Sequence, residues 1–262
     1  YYSYKKRTRQ NLVKRYLKKK MMAHVIGQKN VIGKITCHYF GSTRQVKWFT
    51  PMLLNFDDPV IDVGCGSGNQ LIEMCDSGFK NLTGIDAFID SDLTLQNGVE
   101  IFKRSLPDEM GQYQLVMMHH SFEHFLDPVE TMKHIFRILK PGGYALIRTP
   151  VAGCEAWQIY KENWIQIDAP RHICLVSESG MRLLAQKVGL QFLRSSCDST
   201  GYQFWASEQC RQGIAFRDKR SYVNGLVNSI FNAQQIEKYE QMALEANRNQ
   251  QGDQACFYFQ KL

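Results

Sequence analysis

The stretch Val60-Ile61-Asp62-Val63-Gly64-Cys65-Gly66-Ser67-Gly68 decides the fold. Apolar residues interrupted by one acid run into three glycines at alternate positions. A buried strand ends this way when its backbone must turn sharply against a ligand, because glycine accepts positive φ and has no Cβ to hold the ligand off. Asn69 and the apolar positions Leu71, Ile72, Met74 and Cys75 predict a helix directly after the turn. Strand, glycine turn and helix N-terminus together make a nucleotide-type site at the edge of a parallel sheet.

Outward from this point, strand and helix signals alternate. Residues 82–86 predict a second strand ending in Asp86, 18 positions after Gly68, and residues 99–103 and 114–119 predict a third and a fourth. Asp127-Pro128 opens a helix with Val129, Met132, Ile135, Phe136 and Leu139 on one face, stopped at Pro141-Gly142-Gly143. Residues 144–148 predict the fifth strand. After an irregular insert, Ser177 caps a helix closed at Gly189, and 190–195 and 255–259 predict two more strands. The order implies an α/β fold, a doubly wound, mostly parallel seven-stranded sheet. Ahead of it, residues 1–56 read as a basic helical extension: helical to Met22, loop-rich around Gly27, Gly33 and Gly41, then a short helix over 49–56. Residues 57–262 form the main domain, with inserts at about 151–176 and 200–250.

The chain has 262 residues and a net charge of +7, with 44% hydrophobic residues and only 7 prolines, which excludes extensive disorder. The charge is uneven. Residues 1–56 hold 13 Lys or Arg and no acid, whereas the rest holds 19 basic and 25 acidic residues. A peripheral membrane or polyanion contact through residues 5–20 is therefore expected, and nucleic acid is not the expected partner of the main domain. No stretch reads as a membrane span or a secretory signal, so a cytoplasmic location is expected. A first residue other than Met points to native residues missing ahead of Tyr1. Eight scattered cysteines without a C-x-x-C pair read as reduced thiols, and no metal is expected.

Two chemistries of the glycine turn fail on the residues. A P-loop needs Lys-Ser/Thr where Asn69-Gln70 stands, and a dinucleotide turn needs G-x-G-x-x-G. Four segments in order, VIDVGCGSG at 60–68, LTGID at 82–86, YQLVMMHHSFEHFLDP at 113–128 and LKPGGYALIRTP at 139–150, resemble the class I S-adenosylmethionine-dependent methyltransferases. The resemblance covers about residues 58–200, and within that family it is nearest to a bacterial subgroup of types 11, 12 and 23 often found beside surface-polysaccharide genes. It implies a Rossmann-like fold and S-adenosylmethionine as cofactor. Backbone at Gly64, Cys65, Gly66 and Gly68 would approach the ribose and methionine parts. Asp62 would face the cationic end, Asp86 the ribose hydroxyls, Ala87 and Phe88 an adenine face, and Ser105 and Leu106 the adenine edge. Gln114 departs from the acid the family usually carries there.

His119 and His120 lie where the fourth strand opens onto the methyl donor and are expected to contact the methionine tail or the acceptor. The family's Glu-His pair, here Glu123-His124, usually packs and caps. The segment 164–172, W-x-x-x-D-x-P-R-H, resembles an acceptor-covering segment of the bacterial subgroup. Trp164 would stack on a ring, Arg171 would grip a phosphate or carboxylate, and His172 would take the acceptor's proton. The rival expectation is that Asp168 and Arg171 pair to brace the loop while His172 bonds to backbone. Tyr202 and Trp205 would form the opposite wall. The expected reaction is O-methylation of a small molecule, a sugar or a sugar-nucleotide. A cyclopropane-synthase-like lipid enzyme, a nucleic-acid methyltransferase and a non-catalytic cofactor-binding protein are the alternatives.

Overall fold

The computed structural model describes residues 12–40, 44–50, 52–95 and 97–262. Its centre is an eight-stranded sheet of order β3-β4-β2-β1-β5-β6-β8-β7. The strands are β1 (Val60–Val63), β2 (Leu82–Ile85), β3 (Leu93–Thr94), β4 (Glu100–Phe102), β5 (Tyr113–His119), β6 (Leu139–Pro150), β7 (Leu190–Cys197) and β8 (Gln254–Lys261). The seven strands read from sequence are all present. The eighth is the two-residue β3, too short for any periodicity, which pairs antiparallel with β4 at the edge. Strands β4, β2, β1, β5 and β6 run parallel. β8 runs antiparallel between β6 and β7, so the last strand closes the sheet from inside its far edge.

β1 pairs with β2 on one side and with β5 on the other. The chain therefore changes direction across the sheet at β1, and a crevice opens beyond the carboxyl ends of β1 and β5, where open α/β sheets take their ligands. Because β1 is buried on both faces it reads as an apolar run rather than an alternation. Val60, Leu115, Met117 and Leu146 pack one face with Leu71 and Met74 of α4 (Asn69–Asp76) and Phe49. Ile61, Val63, Val116 and Ile147 pack the other with Met132, Ile135 and Ile138 of α5 (Pro128–Ile138) and Met181 and Leu184 of α7 (Glu178–Val188). Each such side chain contributes about 1.5–3 kcal/mol on leaving water.

Helix boundaries follow the expected capping. Asp127 accepts from the Val129 and Glu130 N–H groups at 2.8 and 3.0 Å. Ser177 accepts from Gly180 N–H, and Gly189 closes α7 at φ 82°.

The N-terminal extension departs from expectation in two places. Residues around Gly33 are helical, forming α2 (Val31–Phe40) after α1 (Leu12–Val25). Gly33 sits where the helices meet: a Cβ there would fall 2.0 Å from the Lys20 carbonyl oxygen, so its glycine serves helix packing and not a turn. The short helix before β1 is α3 (Arg44–Trp48) and not 49–56, whose Phe49, Met52 and Leu54 enter the core from an irregular segment. α1 docks on α4, with Lys18 paired to Glu73 and Arg15 3.5 Å from Asp76. Part of the basic excess is thus spent inside the fold. Of the stretch 5–20 expected to meet a polyanion, residues 5–11 lie outside the described residues.

The inserts hold α6 (Glu155–Tyr160), α8 (Tyr202–Arg211) and α9 (Ala233–Arg248). They share a small core of Cys154, Tyr160, Trp164, Phe204 and Ala243, continued by Trp205, Phe231 and Ile236. Among the described residues no helix is long and apolar enough to cross a membrane, and all eight cysteines are free thiols.

Candidate functional site

The glycine turn leaves β1 with Gly64, Gly66 and Gly68 at φ 72°, 54° and 73°. Space makes the same demand as conformation. A Cβ at Gly64 would stand 2.5 Å from Ser121 Cβ, and one at Gly68 2.5 Å from Ile101 Cδ1. The turn is pinned from below by Gly64 N–H donating to the Ile85 carbonyl (2.8 Å) and from the side by Gly66 N–H donating to Asp86 Oδ2 (2.9 Å). Asp86 Oδ1 accepts from Phe88 N–H at 2.8 Å. Asp86, buried at the end of β2, therefore shapes the loop through both of its carboxylate oxygens.

Asp62 is 2% exposed and its Oδ1 has no hydrogen-bond partner. Burial, and then the nearby Asp86 charge, push its carboxyl up to about 8. A buried acid with an orphaned oxygen is poised for a cationic partner. The Cys65 thiol is pushed far above its usual range by burial and by Asp62 and Asp86, so it contributes backbone and bulk here, not reactivity. Leu106 is buried against β2 and β5 neighbours, and Ser105 Oγ donates to Asp108. Ala87 is exposed beside Asp86, and Phe88, expected along an adenine face, is 87% exposed with its ring free to move onto a ligand.

Across the crevice, β5 ends at His119. Both its ring nitrogens are shielded and unpartnered, and its ring lies 4.8 Å from that of Trp48. Burial, then Arg148 and His120, lower its pKa to about 3, so it is a neutral imidazole at physiological pH. Trp48 Nε1–H donates to Asp198 Oδ2 (2.9 Å), and Arg148 Nε donates to both Asp198 oxygens (3.1 and 2.9 Å). Arg148 also lies over the Trp48 ring at 5.1 Å and touches His120 Nε2. His120 holds a left-handed φ of 51°, rare for a residue with a Cβ, and its Nδ1 stands 3.3 Å from Glu123 Oε1. Strain of this kind persists only where the surroundings over-determine it, most often at a functional site.

Trp48 and Arg148 were not among the site residues read from the sequence, and the bonds of His120 and Asp198 to them were not foreseen. Arg148 carried a usable signal, a charge inside an otherwise apolar strand. The others come together only through the fold.

The insert residues are placed differently from expectation. Trp164 is 1% exposed inside the insert core, edge-on to Trp157 at 5.7 Å, so it has no open face for a ring. Arg171 pairs with Asp168, and His172 Nδ1–H donates to the Gln166 carbonyl (2.6 Å), which is the bracing arrangement named as the rival. Trp205 is core, with Tyr202 half-buried against it at 5.0 Å. Glu123 packs fully buried, accepting from Thr149 Oγ1 at 2.8 Å, while its carbonyl accepts from Ile173 and Cys174 N–H and so ties the insert to β5.

The family model described as "Methyltransferase domain" matches residues 37–195. The chain belongs to this methyltransferase family. That agrees with the class I S-adenosylmethionine-dependent resemblance of its motifs. The ubiquinone biosynthesis O-methyltransferase of Bordetella avium is 31% identical over 102 residues, covering 34% of this chain and 42% of that protein. The chain spans about half or less of the length of the curated relatives it matches. A candidate methyltransferase of Bacillus halodurans superposes with a TM-score of 0.53 at 13% identity, over 84% of this chain and 99% of that one. The [4+2]-cyclase SpnF superposes at 0.51 with 14% identity, over 83% and 79%. At these identities the likeness is one of fold, and a cyclase among such neighbours shows that the fold does not dictate the reaction.

The methyl-donor cradle fits S-adenosylmethionine on its own features. The orphaned Asp62 oxygen suits an ammonium, and the buried Asp86 carboxylate at the end of β2 suits a diol.

Proposed function

We propose that this domain transfers the methyl group of S-adenosylmethionine to a hydroxyl oxygen of a small-molecule acceptor. The observation that carries the reading is a pair of unsatisfied groups on the neighbouring strands β1 and β5, near the carboxyl ends of both. Asp62 Oδ1 lies buried and unpartnered on the donor side, and the His119 ring nitrogens lie unpartnered on the acceptor side. When bound, the cofactor supplies an electrophilic methyl on a sulfonium. The chain's own residues hold the two reactants in line, which is where most of the acceleration of such a displacement comes from. Gly64–Gly68 backbone and Asp86 fix the donor. The Trp48 ring, held by Asp198 and Arg148, packs against the His119 ring and fixes its position. His119, neutral through its low pKa, orients the acceptor O–H by accepting its hydrogen.

The names of the curated relatives support oxygen as the methylated atom. For the acceptor, a sugar hydroxyl rested on Trp164, Arg171 and His172 acting together. The packing of Trp164 and the internal engagement of the other two withdraw the side chains on which that sugar hydroxyl rested. Calorimetric titration with S-adenosylmethionine and S-adenosylhomocysteine tests the donor half, and absence of binding to both overturns it. Methyl transfer to a phenolic panel and a sugar-nucleotide panel tests the acceptor, and turnover confined to the sugar nucleotides would restore the insert residues as acceptor contacts.

A further inference from the structure

Beside His120, three side chains converge that hold neither donor nor acceptor in the proposed reading. Among the described residues, Glu123, His124 and His172 are the only acid, thiol or imidazole groups whose donor atoms, one from each residue, all lie within 4.8 Å of one another. Their surroundings prepare them as ligands. His172 Nδ1 bonds to the Gln166 carbonyl at 2.6 Å and His124 Nδ1 to the Arg171 carbonyl at 2.8 Å. A carbonyl oxygen only accepts, so in each neutral ring Nδ1 carries the proton and Nε2 keeps the lone pair. Fixing the tautomer through the far nitrogen is how proteins hold metal-ligating histidines.

The third donor is a carboxylate that is 0% exposed. Glu123 Oε2 is occupied by Thr149, whereas Oε1 has no hydrogen bond and faces His172 Nε2 at 3.9 Å and His120 Nδ1 at 3.3 Å. A buried carboxylate oxygen left without a hydrogen bond is costly unless something positive fills the gap. The two imidazole rings lie 5.1 Å apart at 53°, splayed rather than stacked. Ligands bound tetrahedrally at about 2.0–2.1 Å stand about 3.3 Å from each other. The three donor atoms, all within 4.8 Å of one another, therefore need side-chain movements of roughly 1.5 Å at most to close on an ion.

We propose that Glu123, His124 and His172 form a two-histidine, one-carboxylate site for a divalent first-row transition ion of the zinc type. Two imidazoles and one carboxylate select such an ion over magnesium or calcium, which prefer oxygen donors alone, and three protein ligands leave positions open. The site joins the insert carrying His172 to the end of β5 carrying Glu123, so the ion ties the acceptor-side loop to the sheet. Through Glu123 and His120 it also reaches Arg148 and Asp198.

The test uses the full chain, freed of metal by chelation and without S-adenosylmethionine, so its outcome is independent of the methyl-transfer reading. Zn2+ is titrated calorimetrically in excess Mg2+, and Co2+ binding is followed by its visible spectrum. The expected result is one Zn2+ per chain, weakened at least tenfold in both His124→Ala and His172→Ala and unchanged in His38→Ala, a substitution at an exposed histidine elsewhere. Co2+ in the wild type should show the intense bands of a four- or five-coordinate ion. His124 is exposed, so its replacement leaves the fold standing, as thermal melting of the metal-free variant will verify. Absence of stoichiometric Zn2+ binding, full affinity retained in either site variant, equal loss in His38→Ala, or an aquo-like Co2+ spectrum overturns the proposal.

Discussion

The two sides of the crevice are built from different materials. The donor side is a run of neighbours, residues 60–68 with Asp86, and its contacts are mostly backbone N–H groups shaped by positive φ. The acceptor side gathers Trp48, His119, His120, Arg148 and Asp198 from four separate segments, and its contacts are side chain to side chain. A backbone cradle constrains which ligand fits through geometry common to every chain that makes the same turn. A side-chain wall is free to change one residue at a time. On the proposed reading, the difference assigns cofactor identity to one side and acceptor identity to the other, and substitutions on the two sides should separate them.

The largest effect is expected at Asp86. Asp86→Ala removes two charge-assisted hydrogen bonds to the loop and the proposed diol acceptor together. At about 1.5–3 kcal/mol for each charged hydrogen bond, cofactor affinity should fall about 100-fold or more. Calorimetry reads this directly, and an affinity within threefold of wild type would break the division between the two sides. Next is Trp48→Ala on the acceptor wall. It deletes the ring against His119 and the bond to Asp198, so kcat/KM for the acceptor should drop at least tenfold, about 1.4 kcal/mol, while cofactor affinity stays within about twofold. Stability should fall by about 3 kcal/mol, because the ring is mostly buried. Loss of cofactor binding with the acceptor KM intact would place Trp48 on the wrong side.

Asp62 gives a smaller effect with a definite sign. Its carboxyl, raised to about 8 by burial and by Asp86, is protonated in the free protein at neutral pH. A folded value above the unfolded one, about 3.9, means that its contribution to stability is complete below the unfolded value and is lost as pH rises through about 8. A bound ammonium favours the carboxylate, so cofactor binding should release a proton near pH 7 and tighten as pH rises. Heats of binding measured in buffers of different ionisation enthalpy will show that release. Asp62→Asn should abolish it and weaken binding about tenfold. His119 has the opposite sign: its value is depressed to about 3, so the stability present above about 6.5 is lost as pH falls toward 3. Buffer-independent heats in the wild type would remove Asp62 from contact with the cofactor's charge.

The same contrast explains how far the sequence could be read. The donor cradle was legible because its determinants are local: glycine spacing, an acid before it and an acid at the next strand end. Helices α5 and α7 were legible because Asp127, Pro128, Ser177 and Gly189 mark their ends chemically. The acceptor wall was not. Trp48 precedes β1 and meets Asp198 150 positions later, a pairing set by α3 lying over the sheet end and by β7 being placed outside β8. Trp164 misled because an aromatic in a polar insert looks available, whereas the inserts bury it in a core of their own, shared by α6, α8 and α9. Gly33 misled for a related reason, since a glycine at a helix crossing looks like a glycine in a loop.

The smallest expected effect compares two arginines. Arg148 is 7% exposed as a residue and bonds to both oxygens of Asp198, whereas the Arg171 side chain is 72% exposed and pairs with a partly exposed Asp168. Exposed pairs contribute about 0–1 kcal/mol, because water screens them and two long side chains must be immobilised. Arg171→Ala should therefore lower stability by no more than about 0.5 kcal/mol in denaturant titration. Its backbone carbonyl, which holds His124, is unaffected by the substitution. If Arg171 only braces the loop, kcat/KM for the acceptor should move less than twofold. If it grips an anionic acceptor group, kcat/KM should fall at least tenfold with stability unchanged, and that loss should shrink as salt is raised, since a solvent-exposed charge contact is screened within about 8–10 Å at ordinary ionic strength. The salt dependence matters more than the size of the loss, because a bracing defect would leave it flat.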